Sequence, residues 1–171
     1  MYDPTIFENL KVAFENHIYD LDTIERKITI LDRKDRMDFA VLSRDFALQF
    51  ALVDQTDVRA AVMLKASAND LAGEILEWED KNIGCALSLQ FMMETREAME
   101  QCSQIEQSLL SIWENDVRIV QTFSFTLPQE TTVYQHTIDV MFKRKINEEH
   151  IGDIRDFLDH VLVTLKLLNS I

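Results

Sequence analysis

Large apolar residues recur at every second position in several stretches of this chain, and the residues between them are small and mostly uncharged. Phe46-Ala47-Leu48-Gln49-Phe50-Ala51-Leu52 is the cleanest case; Cys85-Ala86-Leu87-Ser88-Leu89-Gln90-Phe91 and Phe123-Ser124-Phe125-Thr126-Leu127 repeat it. A period of two is the pleat of a β-strand, so each stretch predicts a strand with a heavy, core-facing side and a light one. Seven strands are predicted, near 25–32, 37–43, 46–53, 58–66, 83–93, 117–127 and 132–144. The charged run Asp32-Arg33-Lys34-Asp35-Arg36 predicts a hairpin loop, and Ser43-Arg44-Asp45 a tight connection or a bulge. Pro128 closes the sixth strand, because proline cannot donate to a ladder, and Pro128–Thr131 leads to the seventh.

Elsewhere the apolar period is helical. Over 4–21, Ile6, Phe7, Leu10, Phe14, Ile18 and Leu21 form one stripe, with Asp3 as cap and Pro4 in the first turn. Ser67 or Asn69 caps a helix to about Asp80, with Leu71, Ala72, Ile75, Leu76 and Trp78 facing inward. Lys81-Asn82 leads out of it. Thr95 caps a third helix to about Glu114, ended by Asn115-Asp116, with Met99, Cys102, Ile105, Leu109, Ile112 and Trp113 on one side. Asn147 caps the last, whose stripe is Ile151, Ile154, Phe157, Leu158, Val161, Leu165 and Leu168.

The predicted order is α-β-β-β-β-α-β-α-β-β-α. Short connections imply mainly antiparallel pairing, while the passages 58–93 and 83–127 permit right-handed crossovers with parallel neighbours. Seven strands at about 4.8 Å span a width that three or four helices about 9–10 Å apart would cover. The expected fold is therefore α+β: a two-layer sandwich of a mainly antiparallel sheet of about seven strands under about four helices, as one domain over 1–171.

The light side is the candidate binding surface. It comprises Ala40, Ala47, Gln49, Ala51, Ala61, Ala86, Ser88, Gln90, Thr122, Ser124, Thr126, Gln135 and Thr137, with Ala47, Gln49, Ala51, Ala86, Ser88, Gln90, Thr122 and Ser124 at its centre. Charge depletion at a patch centre is the compositional mark of an interface. Three readings compete: a plain solvent face, a face packed on another copy or a protein partner, and a curved face closing on a ligand or on one long helix.

Composition narrows these readings. The 171 residues are 47% hydrophobic with only 3 Gly and 2 Pro, which suits one domain with a full core and no linker. The net charge of −13 opposes nucleic acid and anionic membrane surfaces and would attract a basic protein or peptide, although it also simply promotes solubility. No apolar run approaches the roughly 20 residues of a membrane span, and Met1-Tyr2-Asp3-Pro4 does not read as a signal peptide, so a cytoplasmic location is expected. Cys85 and Cys102 fall on apolar faces, without zinc-type spacing, and read as buried thiols.

Candidate chemistry is sparse. Glu149, Asp153, Asp156 and His160 lie along one side of the last helix, and Asp156 with His160 is a weak candidate metal pair; the simpler reading is a solvated outer stripe. His136 shares a strand side with Tyr134 and Ile138 and reads as a core or rim residue rather than a catalytic base. Neither His17 nor His150 has a nucleophile visible beside it. Glu94, Glu97 and Glu100 suit a helix start, and Met92, Met93 and Met99 read as core. There is no nucleophile elbow and no glycine-rich phosphate loop. The leading expectation is a non-enzymatic acidic interaction protein, a homodimer docking a protein or peptide through the light face, with no cofactor. The alternatives are a protein that holds a small apolar ligand between the sheet and the last helix, and a divalent-metal enzyme.

Overall fold

The heavy-and-light alternation centred on Phe46–Leu52 becomes β2, Ser43–Leu52, in which every heavy side chain is buried. A computed structural model describes residues 5–79, 83–97, 99–114, 116–127 and 133–171. The sequence-based assignments at Asp3, Pro4, Lys81-Asn82, Asn115 and Pro128–Thr131 lie outside them. The other strands are β1 (Ile28–Asp38), β3 (Arg59–Ala66), β4 (Ala86–Thr95), β5 (Val117–Ser124) and β6 (Tyr134–Phe142). They form one six-stranded sheet in the order β1-β2-β3-β4-β6-β5, antiparallel at every pairing. Helices α1 (Thr5–Thr23), α2 (Ala68–Ile75), α3 (Cys102–Trp113) and α4 (Ile154–Ser170) complete an α+β architecture.

The sheet has six strands and not seven, because the charged run 32–36 is strand and not loop. β1 passes straight through it, Leu31 being the extra residue of a bulge, and the hairpin turns only at 39–42. Leu42 adopts φ 55° there, the left-handed conformation of a tight turn. The charges are accommodated because both sides of β1 offer them partners. Towards the helices, Arg33 donates to Glu15 on α1 at 2.6 Å and Asp35 accepts from Lys11 at 2.9 Å. On the other side, Lys34 lies 3.6 Å from Asp32.

No described strand gains a parallel neighbour. β3 and β4 pair antiparallel although α2 interrupts the connection. The passage from β4 through α3 does return in the same direction, but β6 comes in between β4 and β5.

All the apolar stripes meet on one side of the sheet. Phe7, Leu10, Phe14, Ile18 and Leu21 of α1, Ile105 and Leu109 of α3, and Leu158, Val161, Leu165 and Leu168 of α4 pack onto Phe46, Leu48, Phe50, Val62, Leu89, Phe91, Ile138 and Val140. Phe14, Trp113, Phe142 and Phe157 join α1, α3, β6 and α4 through ring contacts of 5.3 to 5.8 Å between centroids. The Trp113 indole N–H donates to Thr164 Oγ1 at 3.2 Å, so the buried polar group on α4 is satisfied.

Local signals set most helix starts. Ser67 caps α2 in a reciprocal box with Asp70, whose carboxylate also takes Lys145. Asn147 caps a short 3-10 turn, Glu148–Asp153, that runs into α4. Two expectations differ. Of the inward stripe predicted for α2, only Leu71 packs on the core, while Ile75, Leu76 and Trp78 are exposed, because the helix stops after eight residues. Thr95 does not cap α3: its hydroxyl accepts from the Glu97 amide at 3.1 Å in a local turn, and the helix begins at Cys102.

Candidate functional site

The second side of the sheet is a set of rows fixed by strand register. One row reads Lys34, Ala47, Met63, Ser88, Met141, Arg118 across the six strands. The next reads Asp32, Gln49, Ala61, Gln90, Asp139, Val120, and the third Thr29, Ala51, Arg59, Met92, Thr137, Thr122. None of these side chains belongs to the apolar core. All eight central residues predicted from the sequence lie on this face. Ala47, Gln49, Ala51, Ser88, Gln90 and Thr122 sit within the rows; Ala86 opposes Lys65 at one end and Ser124 opposes Gln135 at the other. Ala40 and Thr126 do not, since one is in the β1–β2 turn and the other lies beyond β5.

The centre of this face is shielded by its own longer side chains. Ala51 and Ala61 are 0% and 6% exposed although no helix covers them among the described residues. The Gln49 amide reaches Met92 Sδ at 3.8 Å, and the Gln90 amide donates to Asp139 Oδ1 at 2.9 Å, which tethers the carboxylate nearest the centre. Between these ridges lies a trough of about 500 Å³, floored by Ala47, Ala61 and Met63 and bordered by Asp32, Lys34, Arg36 and Asp45.

The rim charges balance. Lys34, Arg36, Arg59, Lys65 and Arg118 are matched by Asp32, Asp38, Asp45, Glu94 and Asp139. The described charges on this face sum to zero, so the surplus of 13 acidic residues in the sequence is not carried by these ten.

Sequence reasoning placed Met92 in the core and passed over Met63 and Met141. Parity was the available signal, since Met92 is two residues from Gln90 and must share its side. It also missed the tip of the β1–β2 hairpin, where Phe39, Val41 and Leu42 are 70%, 60% and 51% exposed. Reading 37–43 as a strand had given those residues a pleat to hide in.

A second concavity, of about 230 Å³, lies between the sheet, α1 and the start of α4. Its walls are Phe14, Leu87, Phe142, Ile146, Ile154 and Phe157, and Asp116, Arg144, Lys145, His150 and Asp153 stand around it. It lies between the sheet and the last helix and is somewhat smaller than the ~300 Å³ typical of small-molecule sites.

The other candidates are not assembled into chemistry. His160 Nδ1 lies 2.6 Å from the Asp156 backbone carbonyl, not its carboxylate, and the ring packs on Trp113 at 5.6 Å. Among the described residues, no three His, Cys, Asp or Glu side chains are grouped to hold a metal ion. His150 accepts the Asn147 amide at Nδ1 and so completes a cap. Burial, then the carboxylates of Asp70 and Glu74, push the Cys85 thiol up to about 12, which makes it a poor nucleophile. No described helix is long and apolar enough to cross a membrane. No family model, no curated protein and no solved structure matches this chain.

Proposed function

We propose that this protein is a non-enzymatic interaction protein that pairs with a second copy of itself through the open face of its sheet. The observation that carries this reading is the face just described: an Ala, Ser, Gln and Met centre, no covering element among the described residues, and a rim of five positive and five negative charges. A balanced rim can complement itself across a two-fold axis, where the same patch must serve both partners. Small central side chains allow two sheets to approach to the ~10 Å of a stacked pair. Five strand spacings of about 4.8 Å and eight residues at about 3.4 Å give a projected footprint of roughly 650 Å². Side-chain relief raises that towards the ~800 Å² per partner of a stable interface.

Light scattering on the eluted chain tests this reading. The expected mass is twice 20.0 kDa, falling to the single-chain value in a Met63→Glu variant that keeps its melting temperature. A wild-type monomer at high concentration overturns it, and a stoichiometric complex with a different protein on the same face replaces the second copy by that partner.

The 230 Å³ apolar concavity supports a second reading, a carrier of a compact apolar molecule. A thermal-shift screen against small aromatic compounds checks it; no stabilisation by any of them removes it.

A further inference from the structure

At the end of the sheet opposite the β1–β2 turn, where α3 begins and α4 ends, a pocket of about 170 Å³ opens beside His136. His136 is only 3% exposed. Its hydrogen-bonding state follows from its neighbour. The Gln121 amide nitrogen donates to the Cys102 carbonyl at 2.9 Å, so its oxygen is turned to His136 Nε2, also at 2.9 Å. Nε2 is therefore the protonated nitrogen and Nδ1 keeps a lone pair. Among the described residues that atom has no protein partner, and no buried side-chain nitrogen or oxygen is left unsatisfied. Nδ1 thus meets the pocket and not the core. Burial holds the imidazole below its ordinary pKa, which keeps it neutral near pH 7.

The pocket around this acceptor is one-sided in charge. Asp57 and Glu97 line it, Glu94 stands at its mouth with its carboxylate held by Gln135 from the open face, and no Lys or Arg among the described residues lines it. Arg59 and Arg96 border the neighbouring cleft and form no ion pair with these carboxylates among the described residues. Phe123, stacked on His136 at 4.2 Å, forms an apolar wall with Ile105 and Leu168. The volume is that of about five or six waters, so an occupant has about as many heavy atoms.

We propose that this pocket binds a compact primary amine in its ammonium form, which donates to His136 Nδ1, faces Asp57 and Glu97 with its charge, and lays a short apolar body on Phe123, Ile105 and Leu168. An anion is repelled, and the carboxylates do not converge as metal ligands. An alcohol of the same shape could donate to Nδ1 but gains nothing from the carboxylates.

Calorimetric titration of the full chain with n-butylamine tests the assignment, with n-butanol and butyrate as controls and imidazole nitrogen resonances as a second readout. Saturable butylamine binding is expected, with a shift of the His136 Nδ1 resonance, and an Asp57→Asn, Glu97→Gln variant binds at least tenfold more weakly at unchanged melting temperature. Three results overturn it: no heat and no resonance shift at millimolar amine, equal binding of n-butanol, or undiminished binding by the neutralised variant. Met63 lies on the other side of the sheet from His136 and towards its opposite end, so the Met63→Glu variant binds butylamine like wild type whatever its oligomeric state.

Discussion

The guanidinium of Arg44 lies over the ring of Phe7, its central carbon 4.8 Å from the ring centroid. From there Nη2 donates to Glu8 on α1 and to Asp35 on β1, each at 3.0 Å. One side chain on β2 thereby ties the first helix to the edge strand while capping the core with its flat face. Arg44 itself is 8% exposed, but its partners are more open, so the coupling falls short of a fully buried pair. Arg44→Ala is expected to lower stability by about 2–3 kcal/mol in urea unfolding. Arg44→Lys recovers only part, because an ammonium cannot lie flat on the ring and reach both carboxylates.

The same cluster predicts a response to acid. Burial raises the affinity of Asp35 for a proton, but hydrogen bonds from Lys11 and Arg44 outweigh it and leave the carboxyl below its ordinary value. Asp70 behaves likewise, burial being outweighed by Lys145 and Ser67. Hydrogen bonds from Arg155, then Lys27, bring the partly exposed Glu25 from 4.5 to about 2. A depressed folded-state pKa contributes stability that is present above the unfolded value and lost as pH falls through the folded one. His136, held low by burial, has the same sign, with its loss starting below 6.5. The urea midpoint is therefore expected to sag gently below about pH 6.5 and fall steeply below about pH 4.5. Asp35→Asn flattens part of the steep limb; an acid limb identical to wild type rules out this origin.

Gly84 sits where two backbones touch. Cys85 and Ile146 exchange hydrogen bonds at 2.8 and 2.9 Å, and a Cβ on residue 84 would lie 2.2 Å from the Ile146 carbonyl oxygen. No side chain can give way, because the obstacle is main chain. Gly84→Ala is expected to cost about 1–3 kcal/mol and to speed exchange of the Cys85 and Ile146 amides. Gly152→Ala, with open space around it, serves as the neutral control.

Strands whose two sides differ in bulk were legible from the sequence. Phe46, Leu48 and Phe50 against Ala47, Gln49 and Ala51 gave both the element and the face, and the eight central positions of the open surface followed from that parity alone. The charged middle of β1 was not legible, because its two sides there differ in charge partners and not in size. Arg33 and Asp35 count as core-side residues only once Glu15, Lys11 and Arg44 are seen beneath them. The same blindness hid the His136 pocket. Gln121, which sets the tautomer, is a polar residue on the heavy side of β5, and its two partners come from β6 and α3. Period-two reading finds the side a residue is on and is silent about which distant residues meet it there.

The charged, bulged strand β1 has one more consequence. Ribbons and fibres grow when every molecule offers two receptive sheet margins, one to accept a strand and one to pass the pattern on. Here one margin carries Asp32, Arg33, Lys34, Asp35 and Arg36 and is kinked at Leu31, so it cannot template a neighbour. Only β5 remains, and two molecules joined there would leave nothing open at either end. A single chain therefore offers one receptive margin and not the two that edge-to-edge growth requires.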